Sequence, residues 1–270
     1  MKKIVALLLI GTIATTAWAQ NNPRPKSPTA KQDQKAAKRE RINALLKLEE
    51  EGEIIFSKQS VFGIKINSDG YGISYEMGRF KSPRIATIYG IELNEKKHNK
   101  EKRFSWSDGG FSSNTVIFGK MNNFYQLKLS AGQQRIIGGK GNKNGVAVMA
   151  IYTGGLSAGM VKPYYVKVSK TQQGGELFKS TYPTIIDSNY FIAGASGFTV
   201  GWGDVKIRPG AHAKAALRFD WGRFNETVTA IEAGLNVEYY ANKIPQMAYQ
   251  KEKNLFFNAY VSFLFGRRKS

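Results

Sequence analysis

The chain ends in LFFNAYVSFLFGRRKS, Leu255 to Ser270. Phe257, Ala259, Val261, Phe263 and Phe265 share one parity, and Asn258, Tyr260, Ser262 and Leu264 share the other. On a pleated strand successive side chains point to opposite faces, so this period of two builds one apolar face and one mixed face. The stretch predicts a final amphipathic β-strand anchored by Phe257, Val261, Phe263 and Phe265, with a short basic tail beyond it. Half-buried edge strands share this pattern, so its meaning depends on the rest of the chain.

The same period runs upstream. AHAKAALRFD, Ala211 to Asp220, places His212, Lys214, Arg218 and Asp220 on one face and Ala211, Ala213, Ala215, Leu217 and Phe219 on the other. TVTAIEAGLNVEYY, Thr227 to Tyr240, gathers Glu232, Asn236 and Glu238 opposite Ile231, Leu235, Val237 and Tyr239. A basic face beside an acidic one predicts a network of ion pairs and hydrogen bonds inside a narrow barrel. Between the two runs stands FDWGRF, Phe219 to Phe224, and nearly the same phrase, YEMGRF, occupies Tyr75 to Phe80. A catalytic loop is rarely duplicated, whereas a strand end feeding a turn recurs wherever the same corner recurs. Both copies are expected at one rim, with periplasmic turns through Gly78, Arg79, Phe80 and through Gly222, Arg223, Phe224.

Before the first copy, VFGIKIN alternates Phe62, Ile64 and Ile66 against Gly63, Lys65 and Asn67, and Asp69-Gly70 is a two-residue hairpin signal. A loop at Asp69-Gly70 pairs Ser68 with Tyr71, Ile66 with Ile73, Ile64 with Tyr75 and Lys65 with Ser74, leaving Lys65 diagonal to Glu76. Further alternating runs cover Arg84 to Asn94, Thr115 to Phe124, Tyr125 to Ile137, Val146 to Tyr152 and Leu156 to Val168. With the two GRF hairpins and the closing strand they predict an all-β, antiparallel up-and-down transmembrane β-barrel of about 10 strands, with about 8 or about 12 as the near alternatives. An even number keeps both termini on one side. The long connections, Glu95 to Asn114 and Ser169 to about Ser196, are then expected outside the cell. Lys65, Glu76, Glu92, His212, Lys214, Arg218, Asp220, Glu232, Asn236 and Glu238 form the expected lumen network. So narrow a barrel fills with its own side chains, which argues against a porin.

At the other end of the chain, MKKIVALLLIGTIATTAWAQ carries two lysines, an apolar run from Ile4 to Ile13 and the small-residue ending Ala17-Trp18-Ala19. This predicts a secretory signal peptide over residues 1–19, too short for a convincing membrane-spanning helix. Residues 20–53 follow as a basic segment, Pro-rich at first, with Thr29 as a helix cap and Ile42, Leu45 and Leu46 as a short apolar stripe. This short helical or flexible periplasmic segment is the expected handle for an envelope protein partner, and residues 54–270 are the expected barrel. The chain has no cysteine, so its stability must come from a large core or a bilayer. A net charge of +20 ordinarily points to nucleic acid, but export argues against that partner. Outer-membrane lipid and lipopolysaccharide phosphates are the acidic surfaces that remain.

Chemistry is sparse. Of the two histidines, His98 sits in the basic loop NEKKHNKEKR and reads as solvated. His212, inward-facing beside Lys214, is the weak catalytic candidate, yet no G-x-S-x-G elbow or paired carboxylate accompanies it. GGKGNKNG, Gly138 to Gly145, lacks P-loop spacing and reads as a hairpin tip. No motif calls for a metal or a cofactor, and none is expected. In the loop from Asn94 to Asn114, Lys96, Lys97 and Arg103 lie near Phe104, Trp106 and Phe111, a mixture suited to lipid headgroups or lipopolysaccharide.

The secretory leader, the GRF hairpins and the closing FFNAYVSFLFGRR together resemble the small outer-membrane β-barrel proteins common in Bacteroidota, over roughly Ser60 to Arg267. The resemblance implies the fold and a place in the cell outer membrane, with both termini periplasmic. Its motifs are architectural and bring no catalytic residues with them. The expected function is a non-enzymatic barrel, structural or an accessory subunit of an envelope assembly or export complex. The alternatives are a lipid- or lipopolysaccharide-modifying enzyme using His212, and a soluble periplasmic β-sandwich that binds an acidic ligand.

Overall fold

The computed structural model describes residues 33–40, 43, 56–107, 113–140, 145–170, 176–186, 190–222 and 226–269. The chain divides into Met1–Glu53 and Ile54–Ser270. In the first unit, residues 33–40 form an exposed helix, α1. The signal peptide, Thr29 and the stripe Ile42, Leu45, Leu46 lie outside the described residues.

In the second unit the closing strand does close something. Eight antiparallel strands form a barrel: β1 (Lys58–Asn67), β2 (Gly70–Ser82), β3 (Ile85–Lys96), β6 (Asn122–Gly138), β7 (Ala147–Pro163), β11 (Lys206–Asp220), β12 (Thr227–Ile244) and β13 (Lys253–Lys269). The seam joins the first strand to the last, from Lys58 opposite Lys269 to Asn67 opposite Tyr260. Closure leaves no open edge, which is the condition for strands to cross a bilayer. The start of β1 and the end of β13 lie side by side at one end of the barrel, here termed the terminal end. At the other, the loop end, two small sheets stand off the barrel: β4 (Arg103–Ser107) with β5 (Ser113–Ile117), and β8 (Tyr165–Ser169) flanked by β9 (Phe178–Thr181) and β10 (Phe191–Ala195). A one-turn helix, α2 (Tyr182–Ile186), follows β9. Among the described residues no helix is long and apolar enough to cross a membrane.

The alternation seen in the sequence is resolved with the polar face inward. On β1, Gln59, Val61, Gly63 and Lys65 are buried while Phe62, Ile64 and Ile66 are exposed, and Phe257, Val261, Phe263 and Phe265 of β13 all face outward. Leu156 and Phe257 are 72% and 65% exposed, whereas Arg218 and Glu238 are 1% and 0%. In water this is inside out, because each large apolar side chain left exposed forgoes about 1.5–3 kcal/mol. A contiguous apolar belt of this kind marks a surface meant for another apolar phase. Its height fits a bilayer: Phe257 to Phe265 spans roughly 27 Å along the strand at ~3.4 Å per residue. Tilted by about 40°, that becomes roughly 20 Å, near the ~25 Å band of such barrels.

The strand count is therefore eight, the lower alternative, and the expected ten splits what the fold joins. Val146 to Tyr152 and Leu156 onward are one strand, β7, paired along its length with β6 and β11. Gly154-Gly155 reads as a break, yet a Cβ on Gly155 would stand 1.9 Å from the Leu129 carbonyl oxygen, so this glycine permits close strand approach. The run Thr115 to Phe124 divides between β5, off the barrel, and the start of β6. The first hairpin also differs in register. Its loop is Ser68-Asp69, and Ile66 pairs with Tyr71, Lys65 with Gly72 and Ile64 with Ile73. The slip is even, so each side chain keeps its face. Gly70 belongs to β2 instead, where a Cβ would lie 1.9 Å from the Glu95 carbonyl oxygen of β3.

The GRF phrases need the same kind of correction. Both copies lie toward the terminal end, but Gly78, Arg79 and Phe80 remain inside β2, paired with Ile88, Thr87 and Ala86, and the chain turns at Pro83-Arg84. In the second copy β11 ends at Asp220 and Gly222 has left the strand; Arg223 and Phe224 lie outside the described residues. A single closed sheet, instead of two packed sheets, also sets aside the β-sandwich.

Candidate functional site

Eight strands enclose a lumen just wide enough for side chains to fill. Its centre is a cluster of three carboxylates and three cations. Glu92 accepts from Lys65 at 2.7 Å and from Lys214 at 3.0 Å. Lys214 also reaches Glu76 at 3.2 Å and Glu232 at 3.6 Å. Arg218 grips Glu232 through Nε at 2.9 Å and Nη2 at 2.6 Å, and pairs with Glu76 through the same Nη2. The Tyr260 hydroxyl donates to Glu232 at 2.6 Å, and its ring lies 4.2 Å from Lys65 Nζ.

Toward the loop end a second cluster forms around Glu238, held by Lys128, by Lys96 at 2.9 Å and by Gln126 at 2.5 Å, with Lys96 also 2.8 Å from Asp69. Toward the terminal end Asp220 accepts from Arg268 at 2.5 Å and from the Gly222 backbone N–H at 2.8 Å. Lys65, Lys96, Lys128, Lys214, Arg218 and Arg268 thus face Asp69, Glu76, Glu92, Asp220, Glu232 and Glu238, six charges of each sign. In a low-dielectric interior each charge costs several kcal/mol unless paired, and this balance meets that demand. Apolar side chains pack among these pairs: Val61, Val228, Ala230 and Leu264 toward the terminal end, and Phe124, Tyr240 and Phe256, with ring centroids 5.4–5.9 Å apart, toward the loop end.

Every residue named for the lumen from the sequence is buried in it. Lys65 and Glu76, expected to be diagonal partners, instead pair away from each other, Lys65 with Glu92 and Glu76 with β11. His212 lies opposite Glu238 in register, yet its Nδ1 has no hydrogen-bond partner, where an orienting carboxylate of a catalytic histidine belongs. Lys128, Gln126, Gln134 and Gln59 also line the lumen, beyond the residues expected from the sequence. The signal was present for the first two, since Gln126 and Lys128 alternate with the outward Leu127 and Leu129.

The residues assigned to headgroup contact disperse. Lys96 is buried in the lumen mouth between Asp69 and Glu238 and is unavailable to a headgroup. Lys97 lies over the Tyr71 ring at 4.9 Å, Arg103 opens β4, and the Trp106 side chain lies outside the described part. His98 is half-buried rather than solvated; burial, and then Lys253, lower its pKa below the ordinary imidazole value.

Lys97 and Arg103 border a cleft of about 370 Å³ at the loop end, walled also by Tyr71, Tyr125, Tyr164 and Tyr165. The Tyr165 hydroxyl donates to Asp204 at 2.8 Å, and this bond raises its phenol pKa above the usual value. At the rim, Lys162 lies 4.6 Å from the Phe198 ring and 4.7 Å from the Trp202 ring and donates to the Phe198 carbonyl. The chain's own lysine thereby fills an aromatic box and ties residues 198–202 to β7.

These features define an antiparallel up-and-down transmembrane β-barrel with a filled lumen. No protein-family model matches the chain, and no curated protein matches it in sequence. Among solved structures, Ail of Yersinia pestis aligns at 10% identity and TM-score 0.38, over 79% of this chain and 99% of that one. Neisserial surface protein A aligns at 10% identity and TM-score 0.39, over 79% and 96%. The N-terminal barrel domain of Pseudomonas aeruginosa OprF aligns at 12% identity and TM-score 0.35, over 78% and 98%. The fold assignment rests on the strand register of this chain, not on these likenesses.

Proposed function

We propose that this chain is a non-conducting outer-membrane β-barrel that acts without catalysis, as a structural or accessory subunit of an envelope complex. Its termini are periplasmic, its loop-end sheets lie outside, and residues 20–53 serve as a basic handle for the partner. One observation carries the reading: an apolar belt faces outward around a lumen that, among the described residues, paired charges and apolar side chains fill. Such a barrel is suited to anchoring and display. Exposed Lys100, Lys102 and Arg103 near the loop-end cleft support contact with lipopolysaccharide phosphates there. The isolated Nδ1 of His212 favours a wall residue over a catalyst.

Mild-detergent extraction of the host envelope, run boiled and unboiled on gels, tests the location and the company. The expected result is a heat-modifiable band in the outer-membrane fraction with a stoichiometric companion that is lost when residues 20–53 are deleted. Planar-bilayer recording of the purified barrel should show no steady conductance. A soluble periplasmic band defeats the membrane reading, a persistent open channel defeats the sealed-lumen reading, and unchanged co-purification after the deletion defeats the handle.

A further inference from the structure

The strands that close the barrel carry a row of like charges at the terminal end. Lys269 of β13 stands directly opposite Lys58 of β1, and Lys58 directly opposite Arg79 of β2. All three are exposed and share the outward parity of Phe265, Phe62 and Met77, which lie one or two outward positions further up the same strands. Arg267 and Lys81 extend the row and are also exposed. Among the described residues no carboxylate pairs with any of these five cations. Directly opposed side chains on neighbouring strands have Cβ atoms about 4.5–5.5 Å apart, where like charges repel. Here the repulsion falls on the seam whose register holds the barrel shut.

The row on β13, β1 and β2 lies directly below exposed Phe265, Phe62 and Met77. An anion joined to long apolar tails completes such a surface: phosphate against the row, acyl chains along the three side chains above it.

We propose that the terminal-end rim of β13, β1 and β2 binds an anionic phospholipid, whose headgroup phosphate neutralises Lys269, Lys58 and Arg79 and thereby clamps the seam. The inference rests on the membrane reading above. It adds a lipid class, a flank and an effect on closure.

The test reconstitutes the full chain in nanodiscs of phosphatidylcholine alone or mixed with phosphatidylglycerol. Native mass spectrometry reads the lipid retained, and unboiled gels read the temperature at which the compact band converts. Three cations at about a factor of five each give a preference for phosphatidylglycerol on the order of a hundredfold. Conversion should also occur at higher temperature in the anionic discs. The Lys58→Gln/Arg79→Gln/Lys269→Gln variant should lose both effects and, in phosphatidylcholine, convert no lower than the parent, because its seam no longer repels itself. Should that variant fail to fold, Arg79→Gln alone should lower the preference about fivefold. The control is Lys167→Gln/Lys179→Gln, since those lysines oppose each other on β8 and β9, away from the apolar belt. It should leave the preference intact.

Equal retention of both lipids by a heat-modifiable parent overturns the site while leaving the membrane reading standing. Equal loss in the β8/β9 control overturns it as well. Discrimination that emerges only after Glu49, Glu50, Glu51 and Glu53 are changed to Gln means the chain's own acidic stretch holds the row, which also overturns it. A chain that does not enter nanodiscs overturns both readings.

Discussion

The two GRF phrases stand toward the same end of one barrel and do different things. In YEMGRF, Glu76 reaches the central cluster and meets Lys214 and Arg218, and the strand runs on to Ser82. In FDWGRF, Asp220 sits on the last residue of its strand, pairs with Arg268 and caps the Gly222 N–H. The two glycines diverge in the same way. A Cβ on Gly78 would meet the Gln59 side chain at 2.5 Å, whereas one on Gly222 would meet the Thr227 carbonyl oxygen at 1.9 Å. A repeated phrase thus sets which face each residue takes, while the length of strand beyond it sets how deep the acid lies.

The sharpest way to break the comparison is at the cation the first acid uses. Arg218→Leu leaves Glu76 and Glu232 sharing Lys214 in the lumen, one negative charge in excess, and should cost about 3–5 kcal/mol in urea unfolding from lipid vesicles. An Arg218→Met/Glu232→Leu variant, which removes one charge of each sign and leaves Lys65 and Lys214 with Glu76 and Glu92, should recover most of that loss. Next comes Gly222→Ala, where backbone must shift; about 1–3 kcal/mol is expected. Asp220→Asn keeps an acceptor for Gly222 but removes the charge from Arg268, for about 1 kcal/mol. Gly78→Ala should be smallest in the barrel, below about 1 kcal/mol, because Gln59 can move. If the two glycine variants cost the same, the phrases are equivalent and the contrast fails.

The weakest effect belongs to the loop end. His98 holds its proton less tightly in the folded chain than in the unfolded one, because burial disfavours the imidazolium. Its NMR titration midpoint should fall below the ordinary value of about 6.5. The unfolded chain then binds more protons between the two midpoints, so acidification from about pH 6.5 downward through the folded midpoint should weaken the packing around His98.

The lumen was largely legible beforehand. A period of two separates faces without reference to any partner strand, so the inward parity of Lys65, Glu92, Lys214 and Glu238 could be read directly. Glycines and loops were less legible. Gly155 and Gly70 have the composition of turns, but close backbone approach explains them, and that approach exists only once β6 and β3 are in place. Lys96 is hidden from the sequence for a related reason: it follows Asn94 and Glu95 in an apparent loop, yet β3 extends through it and aims it at Glu238.

By itself the amino-acid sequence determined the class of secondary structure, the two faces of each strand and the amphipathic strand over Leu255 to Lys269. These follow from side-chain alternation and turn chemistry, which are local. The tertiary structure alone decided the number of strands, the register of the first hairpin, the partner of each lumen charge and the meeting of Lys58 with Lys269. Each depends on which strands become neighbours and at what offset. Closure of the ring fixes that for all eight strands at once.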